Sequence, residues 1–552
     1  MPENHRIKTN KASLGAARDF IKRVLGEVPL TAEIYWLIRH RDGTISSRFS
    51  LSFLDQNLPE ISQQVAMVRK KAKPGKKVFL FSSLHIWLQH AALMGMGLAA
   101  NGHDVSLGYL PYCDWYNRIN RFDLRRQNLY AQRVFKKALP FLKPVSFLNI
   151  HAGYKTLPKD LEEKIVQVSQ YDAQYTEQVE AIDPRSPIYL LRIERNMSAA
   201  RMAYSWLQSN RPDVVIVPNG NILEFGVVFE VTQYLKIPVV SYEFGDQKQS
   251  IWLAQNAKVM RQETNDLWAA YKDRSLSEEE EKKIQALFDA RKKASVLKNF
   301  SRQWQNVPAE GVREARSKLG LDDRPVVLLA TNVLGDSLTL GRQIFSQSMQ
   351  DWIERTIQYF AGRSDVQLVI RVHPGEVLTH GVSMVDVVKN VLPSLPECIH
   401  LIKPQERVNT YDLIAAANVG LVYTTTVGLE MAMSGIPVLV SGDTHYREKG
   451  FTYDPPSWLK YFKTLGTILT DPAEFRLSEQ QVKLAWAYAY RFFFDFPRPF
   501  PWHLHGIKTD YEKLPIKNVF TEKRMCEFGA TFDYLTGEPM DWALIRKLQY
   551  EE

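Results

Sequence analysis

Short runs of β-branched and aliphatic residues, each followed by a loop and a stretch of helical period, recur in two blocks of this chain. This alternation constrains the fold most. Strands apolar on both faces must be covered on both sides, and helices returning between parallel strands supply that cover. The first block holds Val78 to Phe81, Asp104 to Leu110, Asp213 to Val217 and Ile237 to Tyr242, with helices over about 86–100 and 222–235. The second holds Pro325 to Ala330, Val366 to Arg371, Ile399 to Ile402, Val419 to Tyr423 and Ile436 to Val440, with helices over 340–361, 411–417 and 427–434. The expected class is α/β, with two open parallel sheets of the nucleotide-binding type.

The 552 residues leave room around these blocks. We read 1–70 as an N-terminal extension, 71–250 as the first α/β domain and 251–321 as a charged helical connection. Residues 322–475 read as the second α/β domain. Residues 476–552 read as a helical, aromatic tail that packs back over the domain junction. Ser277 followed by four glutamates reads as a helix start, since acidic side chains suit the N-terminal amides.

Lys and Arg outnumber Asp and Glu by 70 to 61, a net charge of +9. The excess favours anionic partners. Eight basic residues between Arg118 and Lys143 interleave with Phe122 and Tyr130, near Tyr116. No nucleic-acid motif accompanies them, so a nucleic-acid partner is not expected, whereas peripheral contact with an anionic membrane surface is allowed. Three scattered cysteines argue against a disulfide framework or a cysteine zinc site. The N-terminus lacks a signal-peptide core and no run is long enough to span a bilayer. The expected location is cytoplasmic, at most peripheral at the inner membrane face.

In open α/β sheets ligands bind beyond the carboxyl ends of the strands, so four loops carry the candidate chemistry. After one strand of the second block comes Arg371-Val-His373-Pro374-Gly375-Glu376. Arg371 and His373 alternate in phase with a strand, so both could project the same way. A cation and a histidine there suit phosphate recognition. Another strand runs into Thr424-Thr425-Thr426-Val-Gly428-Leu-Glu430. Its hydroxyls, a glycine that lets a ligand approach and the amides of a helix start read as an anion site, with Glu430 placed for ribose hydroxyls. Alternatively Thr425 or Thr426 merely caps the helix and Glu430 eases its dipole.

The third loop, Thr331-Asn332-Val-Leu-Gly-Asp336, faces the cleft in a two-domain enzyme, with Asn332 and Asp336 as its polar candidates. The fourth, Glu243-Phe-Gly-Asp246, ends a strand of the first block and offers two carboxylates for base or nucleophile work; which of them acts stays open. Asn219 and Glu224, after the preceding strand, and His85, after the first, are candidates for the acceptor side of the cleft. His90 reads as core or surface, the pair His503 and His505 as a surface loop, and no metal cluster is recognised.

The His-Pro loop followed by T-T-x-x-G-x-E-x-x-x-x-G-x-P-V resembles the GT-B glycosyltransferases, most of all the bacterial capsule polysaccharide synthesis proteins, which include Kdo transferases. The likeness is strongest over Pro325 to Gly442. It implies two Rossmann-like domains facing across a cleft. His373, Pro374, Thr425, Thr426, Gly428 and Glu430 would then hold a nucleotide-sugar donor, with no tightly bound cofactor and no metal. It implies sugar transfer to a carbohydrate acceptor, with Glu243 or Asp246 as the acid at the reacting centre. Rival readings are a sugar-nucleotide 2-epimerase, a polyol-phosphate transferase, or a non-catalytic glycan- or nucleotide-binding component.

Overall fold

The computed structural model describes residues 19–39, 49–151, 156–301, 303 and 305–543. Two sheets organise it. In the first lie β1 (Lys77–Ser83), β2 (Asp104–Leu110), β3 (Leu142–Ser146), β4 (Val214–Pro218), β5 (Val239–Glu243) and β6 (Ser250–Gln255). In the second lie β7 (Val326–Ala330), β8 (Gln367–Arg371), β9 (Ile399–Ile402), β10 (Val419–Val422) and β11 (Val438–Val440). The short strand β12 (Arg498–Pro499) returns to the first sheet.

The first sheet runs β12-β6-β5-β4-β1-β2-β3 and the second β11-β10-β7-β8-β9. Within each, five strands are parallel and follow the order third, second, first, fourth, fifth. Two Rossmann-like sheets result, each reversing direction beside its first strand, where such folds open a ligand crevice. β6 is antiparallel to β5, and β12 antiparallel to β6.

Side-chain alternation divides each core in two. Val78 and Leu80 point to one face of β1, beneath the buried helix His85–Ala100; Phe79 and Phe81 point to the other, beneath helices Lys159–Glu177 and Pro187–Asn210. In the second sheet Val326 and Leu328 oppose Val327 and Leu329 in the same way. The helix Glu278–Lys292 begins with a capping box in which Ser277 and Glu280 satisfy each other's backbone amides.

The chain then crosses back. Helix Glu479–Tyr490 packs on helix Val427–Met433 of the second lobe. A π-helical turn, Arg491–Asp495, leads to β12, and the helices up to Leu535 pack on the first lobe through Trp502, Phe528 and Phe532. The tail is therefore built into both cores.

The charged connection differs from its expected helical character at its start, where β6 forms. Its pattern Ser-Ile-Trp-Leu-Ala-Gln is covered by the tail, which no local pattern announces. The long helix expected over 340–361 is shorter, Met349–Ala361. Ser348 caps it by accepting from the Asp351 amide, so the chain ahead of it forms turns instead. Phe122 and Tyr130 are buried within helix Arg121–Lys136, so the basic stretch does not display them as stacking platforms. His90 lies in the core and hydrogen-bonds the Trp502 carbonyl at 3.0 Å.

Candidate functional site

The carboxyl ends of β5, β7, β8 and β10 converge on one cavity of about 520 Å³. From the first lobe Glu243, Phe244, Gly245, Asp246 and Tyr175 line it; from the second come Asn332, Asp336, His373 and Thr424 to Thr426. The tail adds Phe492 and Phe493, turned toward the cavity by the π-helical segment. The fold thus brings four sequence-distant loops to one crevice.

Glu243 ends β5 with its carboxyl at the cavity wall. One oxygen accepts from the Asn219 side chain at 3.0 Å and the other from the Phe244 amide at 3.0 Å. Burial pushes its pKa up from an ordinary 4.5 to about 7, against the pull of those two bonds. Asn219 itself is buried at φ 56°, a left-handed conformation that asparagine tolerates. It does not line the cavity, but it aims the carboxyl that does. Asp246 lies three residues beyond the strand on the same wall.

His373 lines the facing wall. Its backbone amide donates to the Thr331 hydroxyl at 3.1 Å, and its Nδ1 accepts from the Gly375 amide at 3.0 Å. With Nδ1 accepting, a neutral ring carries its proton on Nε2. Pro374 opens the short 3₁₀ turn that forms this contact. Asn332 accepts from the Thr424 amide at 3.2 Å and so ties the end of β7 to the end of β10.

Several expected residues do other work. Arg371 does not line the cavity with His373: β8 ends at Arg371, so strand alternation does not carry on to His373. The Arg371 guanidinium donates to the carbonyls of Lys403 at 3.0 Å and Val408 at 3.3 Å, clamping the loop that leaves β9. Burial lowers its pKa to about 10. Glu430 does not face the cavity either. One turn into helix Val427–Met433, it forms a buried ion pair with Arg291 at 2.6 Å, on the side packed against helix Glu278–Lys292. Burial raises its pKa, partly offset by Arg291.

Gly428 is explained by packing rather than by ligand approach: a Cβ there would lie 2.4 Å from the Tyr446 hydroxyl and 2.8 Å from Val422. The helix that holds it, Val427–Met433, has seven residues, and the Gly428 and Glu430 amides are already bonded to the carbonyls of Thr425 and Thr426.

On the first lobe, Glu224 sits in a buried network away from the cavity. It pairs with Arg192 at 2.8 Å and accepts from Ser83 at 3.0 Å, while Arg192 also binds Asp172. Burial works to raise the Glu224 pKa, but Arg192 and Arg195 outweigh it and hold it below the usual range. Asp172, in the same network, is pushed up to about 6 by burial, with Glu224 adding to the rise and Arg192 opposing it. His85 begins its helix half-buried, with its pKa lowered by desolvation, and is not among the residues lining the cavity.

Other residues complete the walls without an advance signal of their own: Gln262, Arg342, Asp443, Thr444 and His445. The last three follow β11, a strand end that the rule for open sheets would have flagged. Arg342, not Arg371, is a cation at this crevice; it is held by the carbonyl of Asp443 at 3.2 Å and that of Met260. His445 stacks on Phe492 with ring centroids 3.7 Å apart, and its Nδ1 contacts the Tyr488 hydroxyl at 3.0 Å. Burial keeps this imidazole neutral. Among the described residues no group of three or more His, Cys, Asp or Glu could hold a metal ion.

Residues 247–468 match the family model described as capsule polysaccharide biosynthesis protein. The chain is similar to capsule polysaccharide biosynthesis proteins. The matched segment takes in β6 and the whole second sheet with His373 and Thr424 to Thr426; Glu243 and Asp246 lie just ahead of it. Among solved structures, KpsC, a beta Kdo 2,4 transferase of Thermosulfurimonas dismutans, is 16% identical. It covers 50% of this chain and 78% of its own, with a TM-score of 0.34. The UDP-GlcNAc 2-epimerase of Methanocaldococcus jannaschii in complex with UDP-GlcNAc and UDP is 12% identical. It covers 74% of this chain and 97% of its own, with a TM-score of 0.26. No curated protein matches. Scores this low leave the fold resting on the strand order described above.

Proposed function

We propose that this protein is a glycosyltransferase of surface polysaccharide synthesis, moving a sugar from a nucleotide-sugar donor to a carbohydrate acceptor. One observation carries the reading. A carboxyl titrating near 7, Glu243, shares a single crevice with the His-Pro loop and the hydroxyl-rich end of β10 on the opposite lobe. A general base is most effective when its pKa lies near the working pH.

In this reading Glu243 takes the proton of the acceptor hydroxyl as that oxygen bonds to the anomeric carbon. The bond from that carbon to the phosphate oxygen breaks, and the nucleotide leaves with its electron pair. His373, held at Nδ1 by the Gly375 amide, places its imidazole at the wall where a donor phosphate would lie. Arg342 supplies positive charge at the same wall. Asp246 lies beside the base and contacts the acceptor; the threonine hydroxyls contact the donor.

The test separates binding from chemistry. Glu243→Gln should retain sugar-nucleotide binding by calorimetry and lose turnover by about 100-fold or more. His373→Ala should weaken nucleotide affinity about tenfold or more, as expected for one hydrogen bond to a charged group. Product formed from sugar nucleotide with no acceptor would instead indicate epimerisation. Unchanged turnover in Glu243→Gln would end this proposal.

A further inference from the structure

Residues 19–39 form a helical hairpin packed on helix Arg121–Lys136. Ala32 and Trp36 face inward, with Trp36 against the Tyr130 ring at 6.2 Å. Three ion pairs hold the contact: Lys22 with Asp123 at 2.6 Å, Arg121 with Glu27 at 2.9 Å, and Arg125 with Glu33.

The outward face of the hairpin is the anomaly. Phe20 is 66% exposed, Leu30 64%, Ile34 53%, Leu37 64% and Ile38 75%. Of the 23 exposed large hydrophobic residues among the described ones, ten lie between Phe20 and Ile38, while the rest are scattered singly or in small groups. Single exposed apolar residues need no explanation, but a contiguous ridge marks an interaction surface.

Charge identifies what that surface meets. Residues 19–39 and 118–143 together carry eleven Lys and Arg against four acids, seven of the chain's nine excess positive charges. Three of those acids are the partners in the ion pairs of the contact, which leaves the rim basic; Arg23, Arg39 and Lys136 stand exposed on it. An apolar ridge bordered by cations is the composition of an interfacial helix, whose apolar side chains enter the acyl boundary while its cations meet headgroup phosphates.

We propose that this hairpin docks the protein on an anionic lipid surface. The inference is independent of the chemistry assigned to the cleft. Cosedimentation of the full chain with phosphatidylglycerol-containing vesicles tests it. The wild type should bind them, less so as salt rises, because exposed charges are screened. It should bind phosphatidylcholine-only vesicles at least about tenfold more weakly.

Leu37→Glu with Ile38→Glu alters two outward side chains, so the fold and melting temperature should hold while vesicle binding falls at least about tenfold. Arg23→Glu with Arg39→Glu should weaken binding at low salt. Absence of wild-type binding, equal binding to uncharged vesicles, or full binding by Leu37→Glu/Ile38→Glu would each overturn the proposal. So would a wild-type dimer that this double variant converts to monomer without vesicle binding, which would assign the ridge to self-association.

Discussion

Replacing Glu243 by glutamine removes one titrating proton from the cleft and little else, and its consequence for stability follows from the geometry. The folded carboxyl titrates near 7 rather than at an ordinary 4.5, so the folded state holds that proton more tightly than the unfolded chain does. Stability from this group is fully present below 4.5 and is lost as pH rises through about 7. The gap corresponds to about 3 kcal/mol, at 1.36 kcal/mol for each pH unit. Glutamine has no charge to desolvate and does not follow this curve. It keeps one carbonyl oxygen for either Asn219 or the Phe244 amide and forfeits a good acceptor for the other, a cost of about 1 kcal/mol at every pH. Urea unfolding near pH 5 should therefore find the variant slightly less stable than wild type. Near pH 8.5 it should be more stable by about 2 kcal/mol. Parallel curves across this window would show that Glu243 titrates as an ordinary surface carboxyl, and its role as a base poised near neutrality would fall with it.

Three further outcomes follow from particular contacts. Asn219→Gly keeps the left-handed backbone but removes the donor that favours ionised Glu243, so the rising limb of the pH–rate profile should move up by about one pH unit; an unmoved limb would show that Asn219 does not tune the acid. Glu430→Ala leaves Arg291 buried without its carboxylate and should cost about 3–5 kcal/mol in chemical unfolding, while the folded fraction keeps its nucleotide affinity; loss of affinity at unchanged stability would return Glu430 to the ligand site. Gly428→Ala should destabilise by about 1–3 kcal/mol, and Tyr446→Phe should recover part of that by removing the hydroxyl it strikes, although the phenylalanine gives up a 2.6 Å bond to the Thr425 carbonyl. Simple additivity of the two costs would exclude the clash.

The strand ends were legible from sequence because an apolar run that stops at polar residues marks its own boundary. Loops at 243–246, 332–336, 371–376 and 424–426 do meet at one crevice. What misled was direction within those loops. Arg371 and His373 share a strand phase on paper, yet β8 already ends at Arg371 and the loop after β9 supplies carbonyls that capture the guanidinium. Glu430 has the spacing of a ribose ligand, yet the helix face it occupies is decided by Arg291, 139 residues earlier in the chain. Glu224 is drawn into the Arg192 network in the same way.

The sequence by itself determined the two α/β blocks, their parallel strands and the loops that end them, since these depend on local periodicity and on the need to bury apolar strands on both faces. Tertiary structure alone decided which polar side chains reach the crevice. A charged group goes where its partner lies: Arg291 takes Glu430, Arg192 takes Glu224, and Asn219 and the Phe244 amide hold Glu243 at the wall. Apart from the adjacent Phe244 amide, those partners come from other segments of the chain, and a buried charge without one is too costly to leave standing.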